Sequence, residues 1–170
     1  SVKDRAPEPR VAKTIDGKAV AAAVRGEVRE RAARLAARGL EAGLATVLVG
    51  DDPASRVYVG MKEKACAEVG IRSFGHRLAA STTQAELLDV VVALGRDARV
   101  HGVLVQLPLP AALSADAVVD AIVPSKDVDG LHPVNQGRLM AGRPGLRPCT
   151  PLGVMRLLDD TGVALRGAHA

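Results

Sequence analysis

LATVLVG, residues 44–50, is an unbroken run of apolar and β-branched residues that ends in a glycine and is followed at once by Asp51 and Asp52. A strand with one wet face alternates polar and apolar residues. A run without alternation reads instead as a strand covered on both faces, the usual pattern of parallel sheets in α/β proteins. Whether helices flank this strand decides the fold. Upstream, Val20, Val24, Val28 and Leu35 recur at helical spacing with alanines between them. Gly39 is placed to close a helix of about 23 residues that begins near Asp16. Downstream, DDPAS turns the chain into SRVYVGMKEKACAEVG (55–70), a second helix with Gly70 as its left-handed stop.

The alternation continues to the end of the chain. IRSFGHRL (71–78) reads as a second strand, made less regular by Gly75, and Thr83 and Glu86 have capping-box spacing ahead of a third helix in LLDVVVAL. Within HGVLVQLPLP, residues 103–107 form a third buried strand that must end before Pro108, because proline has no N–H to give a ladder. Ser114 can cap a fourth helix over ADAVVDAIV. The stretch PSKDVDGLHPVNQGRLMAGRPGLRPC (124–149) has no apolar period and is dense in Gly, Pro, Asp and Asn, which predicts one long loop. Thr150 is expected to cap, and Pro151 to open, a last helix that ends at Gly162. Helices alternating with buried strands predict a three-layer α/β domain, a parallel sheet flanked by helices on both faces. Residues 1–14 are polar, proline-containing and aperiodic, and are expected to be a flexible leader.

Composition narrows the function classes. The chain has 170 residues, 48% hydrophobic and 25% charged, as in ordinary globular domains. No apolar run approaches the roughly 20 residues of a membrane helix, and no secretory signal pattern opens the chain, so a cytoplasmic protein without membrane partners is expected. The formal charge of +4 is spread over helices that also carry acids, and only one Tyr and one Phe exist to stack on bases, which argues against a nucleic-acid partner. Cys66 and Cys149 lack metal-ligand spacing, so neither a metal site nor a disulfide is expected.

Ligands of open α/β sheets gather outside the carboxyl ends of the strands. The residues that follow the first strand include Ser55, Tyr58 and Lys62, spaced i, i+3 and i+7 and hence on one helix face. A phenol one turn from an ammonium group is a pair suited to moving protons, although packing of the ring and solvation of the lysine would also explain the spacing. After the third strand come Gln106, Leu107, Pro108 and Pro110. Gln106 is a lone amide at the end of an apolar run, and a buried amide needs partners. KDVDG (126–130) sets two acids two apart before a glycine and lacks the remaining positions of a calcium loop. His132 precedes a proline and reads as a hydrogen-bonding loop residue. No GxGxxG fingerprint occurs.

VGDDPASRVYVGMKEKACAEVGI, HGVLVQLPLP, PSKDVDGLHPVNQGRL and PCTPLGVMRLL, in this order, resemble the bifunctional methylenetetrahydrofolate dehydrogenase / methenyltetrahydrofolate cyclohydrolase family. The resemblance runs from about Ile15 to the C-terminus. It implies an enzyme of one-carbon metabolism that serves purine biosynthesis. Such an enzyme oxidises 5,10-methylenetetrahydrofolate with NADP and hydrolyses the methenyl product to 10-formyltetrahydrofolate. It further implies that Lys62 is the catalytic lysine, that Tyr58 lies against the pterin and positions the lysine, that Gln106 supports Lys62 and the reacting carbon, and that Asp129 binds the pterin. A carboxylate can accept the pterin's exocyclic amine and ring N–H as a pair. The methenyl form is cationic and disfavours a charged lysine beside it, which would let Lys62 help water attack. Ser55, Leu107, Pro108 and Pro110 would shape the cleft, with Val134 and residues 148–151 at its border.

In that family a dinucleotide-binding domain follows, opening on a strand and a Gly-Arg-Ser turn that receives NADP. This sequence ends at LRGAHA, so the expectation is a folate-binding catalytic domain over 15–149, a linking helix over 150–170, and an NADP site and dehydrogenase activity that belong to an intact, homodimeric parent. Two other readings compete. Short-chain dehydrogenases share the YxxxK spacing but need an N-terminal glycine-rich loop where this chain has DDPAS. A non-catalytic folate-binding or partner-binding domain would have no need of Tyr58, Lys62, Gln106 and Asp129 together.

Overall fold

The computed structural model describes residues 14–167, so the expected leader lies, but for Thr14, outside the described residues. Its order is α1 (Gly17–Ala36), β1 (Gly43–Val49), α2 (Pro53–Val69), β2 (Arg72–Leu78), α3 (Gln84–Arg96), β3 (Gly102–Val105), α4 (Ala115–Ala121), α5 (Pro133–Met140) and α6 (Cys149–Asp160). The three strands are parallel in the order β2-β1-β3, which puts the quoted run at the centre of the sheet. Seven residue pairs join β1 to β2 and four join it to β3. Burial on both faces follows from this central place. Ala45, Val47 and Val49 belong to a core with Leu87 and Val91 of α3 and Val118 of α4, while α2 packs on β1 and β2 and α1 packs on α2. The result is the expected three layers.

Several helix ends follow from single residues. Asp52 caps α2 by accepting from the Ser55 amide at 2.7 Å, and Gly70 ends the helix at φ +78°, a left-handed conformation that costs glycine nothing. Thr83 and Glu86 form the expected capping box on α3, and the Ser114 side chain accepts from Ala117 N on α4.

Other expectations need correction. The first helix stops at Ala36, and Ala37 to Gly39 form the turn beyond it. Gly75 does not interrupt β2, whose ladder with β1 runs through it. β3 ends at Val105, although the Gln106 amide still donates to Val47 O at 2.8 Å. The supposed loop over 124–149 contains α5, with Pro133 in its first turn and the His132 Nδ1 accepting from Val134 N at 3.1 Å. No apolar period marks α5 because the one side chain it buries is polar, Asn135. The loop also lies beside the sheet, since Val103 N donates to Lys126 O at 2.7 Å and Val103 bridges Asp127 in parallel. α6 begins at Cys149 rather than after Thr150, with Pro148 at its N-cap and no side-chain cap. It leans on α1, across a largely apolar groove of about 920 Å³.

Candidate active site

Three pieces of backbone deliver the site. α2 leaves the carboxyl end of β1, the Gln106–Pro110 segment leaves β3, and KDVDG lies alongside β3 so that its second half emerges at the same end of the sheet. Lys62, half-buried on α2, donates from Nζ to Gln106 Oε1 at 2.9 Å across 44 residues of sequence. The Gln106 Nε2 donates in turn to Leu107 O at 2.6 Å, which fixes the amide with its oxygen toward the lysine. The next peptide bond, Leu107–Pro108, is cis. A charge-assisted bond between an ammonium and an oriented amide restrains a long, flexible side chain.

Asp129 completes the group. Burial pushes its carboxyl above the usual carboxylate range, the Lys62 charge opposes that shift, and the Asp127 charge adds to it. The two acids also line, with Leu107 and Leu131, a cavity of about 10 Å³, room for no more than a water molecule. Cation, amide and carboxyl therefore converge from three separate segments.

The other expected residues are placed unequally. Tyr58 is 57% exposed on α2, one turn before Lys62, and its ring is open to a planar partner. Ser55 is only 2% exposed and bound up with the Asp52 cap. Hydrogen bonds from Ser55, backbone first, hold the Asp52 carboxyl below its ordinary range. Along the stripe Ser55 is buried, Tyr58 exposed and Lys62 half-buried. Pro110 touches the corner where β1 ends, since a Cβ on Gly50 would lie 3.7 Å from its ring. Val134 is exposed at the start of α5.

Two features were not anticipated. Cys149, singled out in the sequence only as unsuited to a metal site or a disulfide, has its thiol donating to Val128 O at 3.0 Å, and burial, then the Asp129 charge, pushes the thiol up while Lys62 opposes. Only its place in PCTP hinted at this. Asp127, the first acid of KDVDG, is buried and accepts three N–H bonds, as does no other carboxylate of the site. Among the described residues, no cluster of three His, Cys, Asp or Glu side chains could hold a metal, and no helix is long and apolar enough to cross a membrane.

The sequence model described as tetrahydrofolate dehydrogenase/cyclohydrolase, catalytic domain, matches residues 15–129. The bifunctional protein FolD of Geotalea daltonii is 56% identical over 157 residues, covering 92% of this chain and 56% of that protein. Among solved structures, a bifunctional FolD methylenetetrahydrofolate dehydrogenase/cyclohydrolase of Campylobacter jejuni superposes with a TM-score of 0.86 at 48% identity, over 87% of this chain and 53% of the other. A Trypanosoma brucei methylenetetrahydrofolate dehydrogenase-cyclohydrolase, solved with NADP and an inhibitor, superposes with a TM-score of 0.85 at 41% identity, over 89% of this chain and 52% of its own. The chain spans about half the length of the relatives it matches.

Proposed function

From the premise that this chain belongs to the tetrahydrofolate dehydrogenase/cyclohydrolase family, carrying its catalytic domain, we propose that it binds tetrahydrofolate derivatives and hydrolyses 5,10-methenyltetrahydrofolate to 10-formyltetrahydrofolate. The observation that carries this reading is the Lys62–Gln106 hydrogen bond at 2.9 Å, with Asp129 close enough to feel the Lys62 charge.

The reaction needs a planar cation held in place, a water brought to its amidinium carbon, and a proton relay as the ring opens. Asp129 takes the pterin edge, accepting its exocyclic amine and ring N–H. Tyr58 lies on the ring face. Water adds to the amidinium carbon and loses one proton to give a neutral hydroxyl adduct. As the C–N5 bond breaks, the hydroxyl gives up its proton and N5 takes one, which leaves the formyl group on N10, an amine at N5 and one proton released overall. Lys62, oriented by Gln106, relays these protons. Leu107, Pro108 and Pro110 wall the cleft. Ser55 supports it from beneath through the start of α2, and Val134 and residues 148–151 border it.

The dehydrogenase step, oxidation of 5,10-methylenetetrahydrofolate with NADP, is proposed for the whole protein. The described residues do not fit the dinucleotide. β1 runs into Gly50-Asp51-Asp52 and β3 into Gln106-Leu107-Pro108, and neither is a glycine-rich turn whose amides could cradle a pyrophosphate. The domain reading is likewise a catalytic body over 15–149 with 150–170 as the link to the nucleotide half. Carried over with the family are a cytoplasmic setting, a place in one-carbon metabolism that supplies purine biosynthesis, and a homodimer.

The test follows the near-ultraviolet absorbance of 5,10-methenyltetrahydrofolate with the protein and with Lys62→Met. Decay faster than in buffer, cut by roughly 10²–10⁴-fold in the variant, is the expected result for a proton-moving side chain. A folded protein without acceleration, or a variant as fast as the parent, overturns the reading.

A further inference from the structure

Asp127 is 1% exposed, and every hydrogen bond it accepts comes from the turn it sits in or from α5. Leu131 N donates to its Oδ1 at 3.3 Å, and His132 N and Asn135 Nδ2 donate to its Oδ2, both at 2.9 Å. None of the salt bridges among the described residues involves it. A buried carboxylate without a cation is expensive, and here three N–H groups replace its water. Asn135 is equally buried, and its Nδ2 also donates to Pro124 O at 2.8 Å, so one amide ties the end of the α4 connection, the KDVDG turn and α5 together. Its Oδ1 is left without a partner, so the amide is placed to donate at a cost to its own acceptor.

The turn is clamped on its other side as well. Gly130 has φ +67°, and a Cβ there would collide with the Arg147 carbonyl carbon and lie 2.5 Å from Pro148 N. The peptide that leads into α6 and Cys149 therefore rests directly on the turn. Gly130 N donates back to Asp127 O at 3.2 Å. Asp129 sits between these restraints, with the Asp127 bonds closing behind it at 131 and 132 and the Gly130 contact beside it.

We propose that Asp127, held by Asn135, is a positioning residue of the folate site: it fixes the 127–132 turn so that the Asp129 carboxyl meets the pterin edge, and it does not itself touch the substrate. This rests on the reading of Asp129 as the pterin carboxylate. Asp127 does not help through its charge: burial and then the Asp127 charge raise the Asp129 carboxyl above its ordinary range, with Lys62 on α2 opposing, which disfavours the carboxylate, so the contribution of Asp127 is one of position. The charged and titratable groups around Asp129 are thus Asp127, Lys62 and the Cys149 thiol.

A double-mutant cycle on the full chain separates positioning from plain stability. Asp127→Asn, Asp129→Asn and the double variant are compared for KM and kcat in methenyltetrahydrofolate hydrolysis, with melting curves beside them. The expected result is that Asp127→Asn raises KM on the order of tenfold to a hundredfold, as a small misplacement of a binding group can. Its effect on kcat should be smaller, and the rise should nearly vanish when Asp129 is already Asn. The same KM penalty with and without the Asp129 carboxyl would mean that Asp127 serves the fold alone, and it would overturn the inference. Should Asp127→Asn not fold, Asn135→Ala, which keeps the carboxylate and removes one donor, takes its place in the cycle under the same criterion. If Asp129→Asn alone leaves KM unchanged, it is the assignment of Asp129 that fails, a distinct outcome that removes the premise.

Discussion

Replacement of Gln106 tests whether the lysine works as a proton carrier or only as a charge. In the protein its Oε1 accepts from Lys62 Nζ at 2.9 Å, and its Nε2 donates to Leu107 O at 2.6 Å. A hydrogen bond to a charged group contributes about 1.5–3 kcal/mol. Without it the lysine head also regains part of its rotamer freedom, about 2 kcal/mol for the whole side chain. Gln106→Leu keeps most of the volume and removes both bonds. If the bond is in use at the transition state, kcat/KM for hydrolysis should fall by roughly 10- to 150-fold at about 1.4 kcal/mol per decade. Gln106→Glu keeps the geometry and replaces a neutral oxygen with a carboxylate, which would pair with the ammonium and oppose proton transfer. It should therefore be slower than Gln106→Leu at neutral pH and regain rate as pH rises. Initial rates from loss of the methenyl absorbance over a pH series, with melting curves to show an intact fold, give both numbers. Gln106→Leu within twofold of the parent while Lys62→Met is inactive would show that the bond contributes nothing. Gln106→Glu faster than Gln106→Leu would show that Lys62 acts through its charge.

Because burial raises the Asp129 carboxyl, its neutral form favours the folded state, and that contribution is lost as pH climbs from 3.8 through the raised value. Asp129→Asn should flatten the fall in melting temperature over this window and melt no lower than the parent at pH 7, while binding folate more weakly; a larger fall with pH in the variant would contradict the sign. Leu87→Ala, at a side chain 0% exposed in the core beneath β1, should cost about 2–5 kcal/mol in urea unfolding, with a slope unchanged from the parent. Thr83→Ala removes the hydroxyl that accepts from Glu86 N, leaving the Thr83 N–H bond to the Glu86 carboxylate in place, and should cost about 1 kcal/mol by the same assay, without effect on hydrolysis.

How much of this was legible in the chain depended on how far each signal reaches. The α2 stop at Gly70 and the α3 box at Thr83 and Glu86 are set within one helical turn, and both stand where their residues predict. α5 was missed because it is held by a buried amide rather than an apolar stripe, and Asn135 announces its partners Pro124 and Asp127 by no spacing. The surroundings of Cys149 are silent in the sequence for the same reason: its neighbours Val128 and Asp129 are 21 and 20 residues away in the chain.

The sequence by itself determined the layered α/β architecture, since an apolar run between two helical periods leaves few ways to bury both faces of a strand. It also offered Tyr58, Lys62, Gln106 and Asp129 as candidates, through residue types at strand ends and a family pattern. Only the tertiary structure decided that the Gln106 oxygen meets Lys62 across 44 residues, and that the two acids of KDVDG have different surroundings. Asp127 is sealed inside by three N–H groups while Asp129 stands in the field of the lysine. Two carboxylates two residues apart look alike in sequence; which one is sealed among N–H donors and which lies beside the lysine is set by burial and by donors that arrive from other elements.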